Sequence, residues 1–191
     1  MDVNTHGLVN KWKLMVGEYN CSSAASLQNS QPSIILTSAC LTNAFDKSTD
    51  PCLSEAFIRN PNNSVVAYLG CSRNGWYLGE GLYGSMAYNA MFYMHLFNTE
   101  YTNKSFGAIV ARAKMEKIPF SIVNECYRWI QFGLNPIGDP EMPVFYNTPL
   151  DFTTVSYNVT GENNISVNTG SVPDCRICVM SSEDWGDTYY Q

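Results

Sequence analysis

Nucleophilic and acid–base chemistry in this chain has few sources: seven cysteines, at positions 21, 40, 52, 71, 126, 175 and 178, and two histidines, at 6 and 95. A cysteine nucleophile needs a base to bring it to thiolate and an acid to protonate the leaving group. Cys40, in Thr-Ser-Ala-Cys-Leu-Thr, and Cys71, in Leu-Gly-Cys-Ser-Arg-Asn, each close a short apolar run. If those runs are parallel strands, both cysteines lie where open α/β sheets collect ligands, at the strands' carboxyl ends. Cys52 and Cys126 fall on predicted helices and read as packing residues, and Cys21 has no comparable position. His95, inside Met-Phe-Tyr-Met-His-Leu-Phe, reads as a packed residue of a buried helix. His6 is followed by Gly7, and a glycine there lets a backbone N–H approach a reacting carbonyl. His6 is the good partner, but the residues alone leave open whether it faces Cys40 or Cys71.

Other constellations fare worse. An odd, scattered cysteine count is not a disulfide framework. The close pair Cys175 and Cys178 has no second ligand pair for zinc, and it sits among Val, Ile and Ser rather than on a helix opening after a strand. Both read as strand residues. Gly79-Glu-Gly-Leu-Tyr-Gly84 matches the dinucleotide fingerprint, but that motif must follow a strand directly, and residues 72–78 intervene. Glu100, spaced for a ribose contact, lies in a polar loop. A nucleotide-binding domain is therefore the weaker rival. Neither a Walker A motif nor Gly-x-Ser-x-Gly is present.

The elements that must position these residues follow from periodicity. Residues 33–40 and 64–71 are short apolar runs, the pattern of strands buried on both faces. Between them Asp50-Pro51 predicts an N-cap and first helical residue, with an amphipathic helix through Ile58. Strand, helix, strand makes a βαβ unit and so a parallel sheet. A small helix is expected over 22–27. A helix over 82–97, apolar nearly all round, should be buried. One over 105–118 turns Phe106, Ile109, Val110 and Ala113 to the core. Another over 120–134, opened by Pro119, places Ile122, Val123, Cys126, Trp129, Ile130 and Gly133 at helical spacing. Gly138-Asp139-Pro140 ends the region. Beyond about 148 the texture changes to short alternating segments, 150–159, 164–168 and 175–180, split by glycines, which suggests antiparallel strands of a sandwich. So short a tail cannot bury such a core alone.

Composition limits the partners. Apolar residues are 45% and charged residues 15%, with a net charge of −6. No basic stripe exists for a phosphate backbone, so nucleic acid is not an expected partner. No apolar run reaches the length of a membrane span. The first residues carry neither a signal peptide nor a transit peptide, as expected of a chain that begins partway through a longer one.

Taken in order, several segments resemble the catalytic subdomain of the gingipain family of cysteine peptidases. These are His6-Gly7, Ser38-Ala39-Cys40-Leu41-Thr42-Asn43-Ala44-Phe45-Asp46, Asp50-Pro51-Cys52-Leu53-Ser54-Glu55-Ala56, 65–72, Asn74-Gly75-Trp76 and Gly138-Asp139-Pro140-Glu141. The resemblance implies a caspase-like α/β/α sandwich with a mostly parallel sheet over 1–147, truncated at its amino terminus. It implies the start of an immunoglobulin-like β domain over 148–191. It also implies a cysteine endopeptidase acting on protein or peptide substrates, with His6 as general acid/base and Cys40 as nucleophile. The backbone N–H groups of Gly7 and Cys40 would form the oxyanion hole, and Trp76 would wall the primary specificity pocket. By family habit the enzyme is secreted or on the bacterial cell surface, calcium can bind at ligands not identifiable here, and a missing upstream subdomain of the same chain supplies the acidic residue that orients the histidine. The alternative is a noncatalytic surface or adhesion protein that retains the scaffold.

Overall fold

A computed structural model describes residues 1–62, 65–77, 84–145, 155–160 and 164–170. The chain divides into two compact units, Met1–Val144 and Phe145–Gln191. In chain order the first contains β1 (Asp2–Val3), β2 (His6–Leu8), β3 (Lys11–Lys13), β4 (Glu18–Asn20), α1 (Cys21–Ala25), β5 (Ser33–Thr37), α2 (Leu53–Ile58), β6 (Val65–Cys71), α3 (Ser85–Phe97), α4 (Phe106–Val123), α5 (Glu125–Gly133) and β7 (Leu134–Gly138). The described part of the second holds β8 (Ser156–Thr160) and β9 (Asn164–Asn168), paired antiparallel. β8 overlaps the expected segment 150–159 and β9 coincides with 164–168, whereas Cys175 and Cys178 lie outside the described residues.

The central sheet has the order β1-β5-β6-β7. β1, β5 and β6 are parallel, while β7 runs antiparallel to β6. The two apolar runs are the two middle strands, and both faces are covered. On one face Ile35 and Tyr68 pack with Trp12, Leu53, Ala56 and Phe57 from the β3 and α2 side. On the other Leu36, Ala67 and Leu69 pack with Tyr88, Phe92, Phe106, Ile109 and Ile130 from α3, α4 and α5. The fold is thus mixed α/β in three layers, with a mostly parallel sheet.

Several predicted elements are corrected. α2 does not start at Asp50-Pro51 but is capped by Cys52, whose backbone N–H donates to Glu55 Oε2 at 2.9 Å. That reciprocal box satisfies the first turn two residues later than proline placement suggests. α4 runs through Pro119, which lies on an exposed face where the carbonyl it frees is open to solvent. The break falls instead at Asn124, whose side chain accepts from Cys126 N–H and caps α5. Ile122, Val123 and Trp129 are therefore exposed, and only Tyr127, Ile130 and Gly133 of α5 are buried. α3 likewise exposes Met94 and Phe97. The antiparallel ribbon β2-β3-β4 and the strand β7 are additions that periodicity did not predict.

β7 exists because α5 ends beside the end of β6. Ser72 N–H donates to Gly133 O at 2.7 Å and Ser72 Oγ to the same oxygen at 3.0 Å, so the chain turns straight back along β6. It ends at Gly138, whose φ of +125° suits only glycine.

Candidate active site

Two adjacent parallel strands, β1 and β5, lead into the segments that carry His6 and Cys40. Val3 of β1 pairs with Thr37 of β5, 34 residues on, and Cys40 follows His6 by the same 34. The strand ends are tied beyond the ladder. Thr37 Oγ1 donates to Val3 O at 2.7 Å, and Ser38 Oγ donates to Asn4 Oδ1 at 2.7 Å. Each chain then leaves the sheet at its carboxyl end, where the sequence placed ligand chemistry.

Gly7, the buried middle residue of β2, lies directly on the Cys40 turn. A Cβ at Gly7 would sit 2.5 Å from Cys40 O and 2.6 Å from Thr42 Cγ2. Only glycine permits that approach. His6 itself is solvent-exposed, and among the described residues its ring has no hydrogen-bond partner; Thr5 beside it is fixed by its hydroxyl to Lys13 O.

Cys40 is half-buried, and its sulfur meets the segment after β6. Gly75 N–H donates to Cys40 Sγ at 3.3 Å, with Gly75 O at 3.6 Å. The loop after Cys40 is firmly held. Leu41 adopts a left-handed φ of +61°, which costs a non-glycine residue ~1–2 kcal/mol. Leu41 N–H donates to Arg73 O at 3.0 Å and Asn43 N–H to Cys71 O at 3.1 Å. The Asn43 amide donates to Gly70 O and Asn135 O, and its Oδ1 accepts from Ser54 Oγ at 2.6 Å. Tyr68 OH donates to Thr42 Oγ1 from below at 2.9 Å. Asn43, Thr42 and Ser54 are fully buried. The sequence contained these residues without assigning them work; a buried polar trio beside a strand end has no periodic signature. Gly75 was likewise missed as a contact of the sulfur.

Cys71 behaves differently. It is 1% exposed, and burial pushes its thiol pKa up to about 12, with Ser38 O and Ser85 Oγ as its nearest polar neighbours. A neutral thiol sealed in the core is a poor nucleophile. Trp76 is 39% exposed; its backbone N–H donates to Ser85 Oγ at 3.0 Å and its carbonyl accepts from Ser85 N–H at 2.9 Å. His95 is buried between α3 and α4, near the Tyr101 ring and 3.7 Å from Glu116. It takes no part in the site. Of the glycine fingerprint only Gly84 is described. Among the described residues there is no cluster of three or more His, Cys, Asp or Glu side chains able to hold a metal ion. No described helix is long and apolar enough to cross a membrane.

Comparison with known proteins agrees with this geometry at the level of family and fold. No curated sequence matches the chain. Among solved structures it is similar to a protein described only as "Structure of Protease", with a TM-score of 0.62 and 21% identity over 85% of this chain. It is also similar to the Arg-specific cysteine proteinase gingipain R, with a TM-score of 0.69 and 18% identity over 87% of the chain. The complex of Porphyromonas gingivalis RgpB pro- and mature domains gives a TM-score of 0.66 at 16% identity, again over 87%. The chain spans only 39–40% of the length of these structures. Residues 4–145 match the sequence signature described as "Peptidase family C25", a span that contains His6, Gly7, Cys40 and Trp76. The chain therefore belongs to peptidase family C25, the gingipain family of cysteine peptidases.

Proposed function

We propose that this chain carries the nucleophile and the acid/base of a cysteine endopeptidase. In this reading Cys40 gives its proton to His6, and the thiolate attacks a peptide carbonyl carbon. The oxyanion is held by the backbone N–H groups of Gly7 and Cys40. As the C–N bond breaks, His6 returns the proton to the departing amine, leaving a thioester on Cys40. Water, losing its proton to His6, then hydrolyses the thioester and restores the thiol. Gly75 N–H, donating to Cys40 Sγ, holds the sulfur at the end of the loop after β6. Trp76, beside the same loop, is the proposed wall for the side chain before the scissile bond.

The observation that carries this reading is the equal offset of strand register and residue spacing, with Gly7 seated on the Cys40 turn. Two wider expectations belong with it: secretion or display on a bacterial surface, and an immunoglobulin-like character for the unit that contains β8 and β9. An imidazole without an orienting partner loses catalytic value, so an acidic group from an upstream subdomain is proposed to complete the site.

The test is mass-spectrometric mapping of alkylation by a peptidyl thiol-reactive probe at neutral pH, in the native chain and in His6→Ala. Selective labelling of Cys40 that is lost in the variant supports a coupled pair. Labelling spread over several cysteines, or indifferent to His6→Ala, favours the noncatalytic scaffold.

A further inference from the structure

A cleft of 420 Å³ opens beside the candidate site, lined by Phe45, Asp46, Arg73, Trp129, Phe132 and Asn135. Its walls are built from the segments that position the cysteine. Phe45 and Asp46 end the loop that starts at Cys40. Arg73 O accepts from Leu41 N–H, and Gly75, two residues on, donates to Cys40 Sγ. Two residues of chain span at most roughly 7 Å, so the Arg73 wall of the cleft lies within reach of two or three substrate residues from the Gly75 contact with the sulfur.

Its lining is largely aromatic, with one ion pair. Trp129 and Phe132, spaced i and i+3 on α5, share a helix face and are 47% and 79% exposed, while Phe45 is 51% exposed. Three large aromatics around one concavity form an apolar surface of the kind that marks a binding site. The two charges in the lining are paired with each other, Arg73 Nη1 and Nη2 donating to the Asp46 carboxylate at 3.0 and 2.7 Å. With these charges mutually compensated, the lining favours an uncharged side chain over an ionic one.

We infer that this cleft is a secondary substrate subsite, taking one large uncharged side chain, aromatic or aliphatic, two or three residues from the scissile bond. The inference rests on the peptidase reading above. Continuity with the Cys40 and Gly75 segments makes a substrate chain the occupant.

The experiment profiles cleavage of a proteome-derived peptide mixture by the intact chain and by the double variant Trp129→Ala/Phe132→Ala. Cys40 alkylation by iodoacetamide is followed in both as a control for fold and nucleophile. The expected result is enrichment of Phe, Tyr, Trp, Leu or Met at one such position. The variant loses the enrichment, and its kcat/KM on the best peptide falls about tenfold or more with Cys40 alkylation unchanged. Cleavage without enrichment, or with enrichment intact in the variant, overturns the subsite alone. Absence of cleavage with Cys40 no more reactive than the other thiols overturns the peptidase reading and the subsite with it.

Discussion

Gly7 is fixed by what a methyl group there would strike: the Cys40 carbonyl and the Thr42 methyl, both nearer than any relaxed contact. In Gly7→Ala the β2 backbone must withdraw from the cysteine turn, at a cost of about 1–3 kcal/mol. The expected outcome is a folded chain with a lower denaturation midpoint and markedly slower labelling of Cys40 by the peptidyl probe. Unchanged labelling would show that the close approach has no bearing on reactivity. Cys71 offers a second measurement, in pH. Its folded pKa lies near 12, above the ~8.5 of a free thiol, so the folded chain holds this proton more tightly than the unfolded one. The stabilisation is fully present below about pH 8.5 and is lost as pH rises towards 12, about 5 kcal/mol in all. Denaturant midpoints should therefore fall between pH 9 and pH 11, and less steeply in Cys71→Ala. Equal slopes would refute the sealed thiol.

At the scale of elements, the loop 38–46 is held by side chains rather than by regular structure. Removing the Asn43 amide leaves Gly70 O, Asn135 O and Ser54 Oγ without their buried partner. Asn43→Ala should cost about 2–4 kcal/mol from these orphaned groups, and Leu41 should relax from its left-handed conformation. Urea denaturation and the Cys40 labelling rate would both register it; loss of stability with full reactivity would separate the trio from the site. The same loop marks where the sequence stopped being readable. β5 and β6 were legible because a strand buried on both faces must be a continuous apolar run, and His6-Gly7 and Cys40 were legible as residue types. The pairing of β1 with β5 that leads into them was not, because β1 is two residues long and register is a long-range property. Lys-Trp-Lys in β3 buries a single side chain, and Asn-Pro-Ile in β7 contains a strand-breaking residue tolerated on an edge. Trp129 shows the converse error. Its spacing fits a core stripe, yet the cap at Asn124 sets the phase of α5 so that Tyr127 and Ile130 take the core.

At the scale of the whole molecule, one sheet joins two cores, and the question is whether Met1–Val144 melts as one body. The α2 side is held by Phe57, which stacks on Tyr19 and meets Trp12 and Tyr68 at 5.3–6.1 Å between ring centroids. The opposite side is held by Phe92 against Phe106. Tyr68 and Leu69 are successive residues of one strand and belong to opposite cores, so a loss on one face is transmitted through β6 itself. Two sealed thiols report on the two sides: Cys52 at the start of α2 and Cys71 at the end of β6. Phe57→Ala should cost about 3–5 kcal/mol through the cavity it leaves. If the unit is cooperative, pulse alkylation along a urea series should expose Cys52 and Cys71 over the same narrow range, shifted together in the variant. Exposure of Cys52 well before Cys71 would mean that the α2 face opens alone. The turn that carries Cys40, which is pinned to Ser54 of α2 and to the end of β6, would then come apart while the far core still stands.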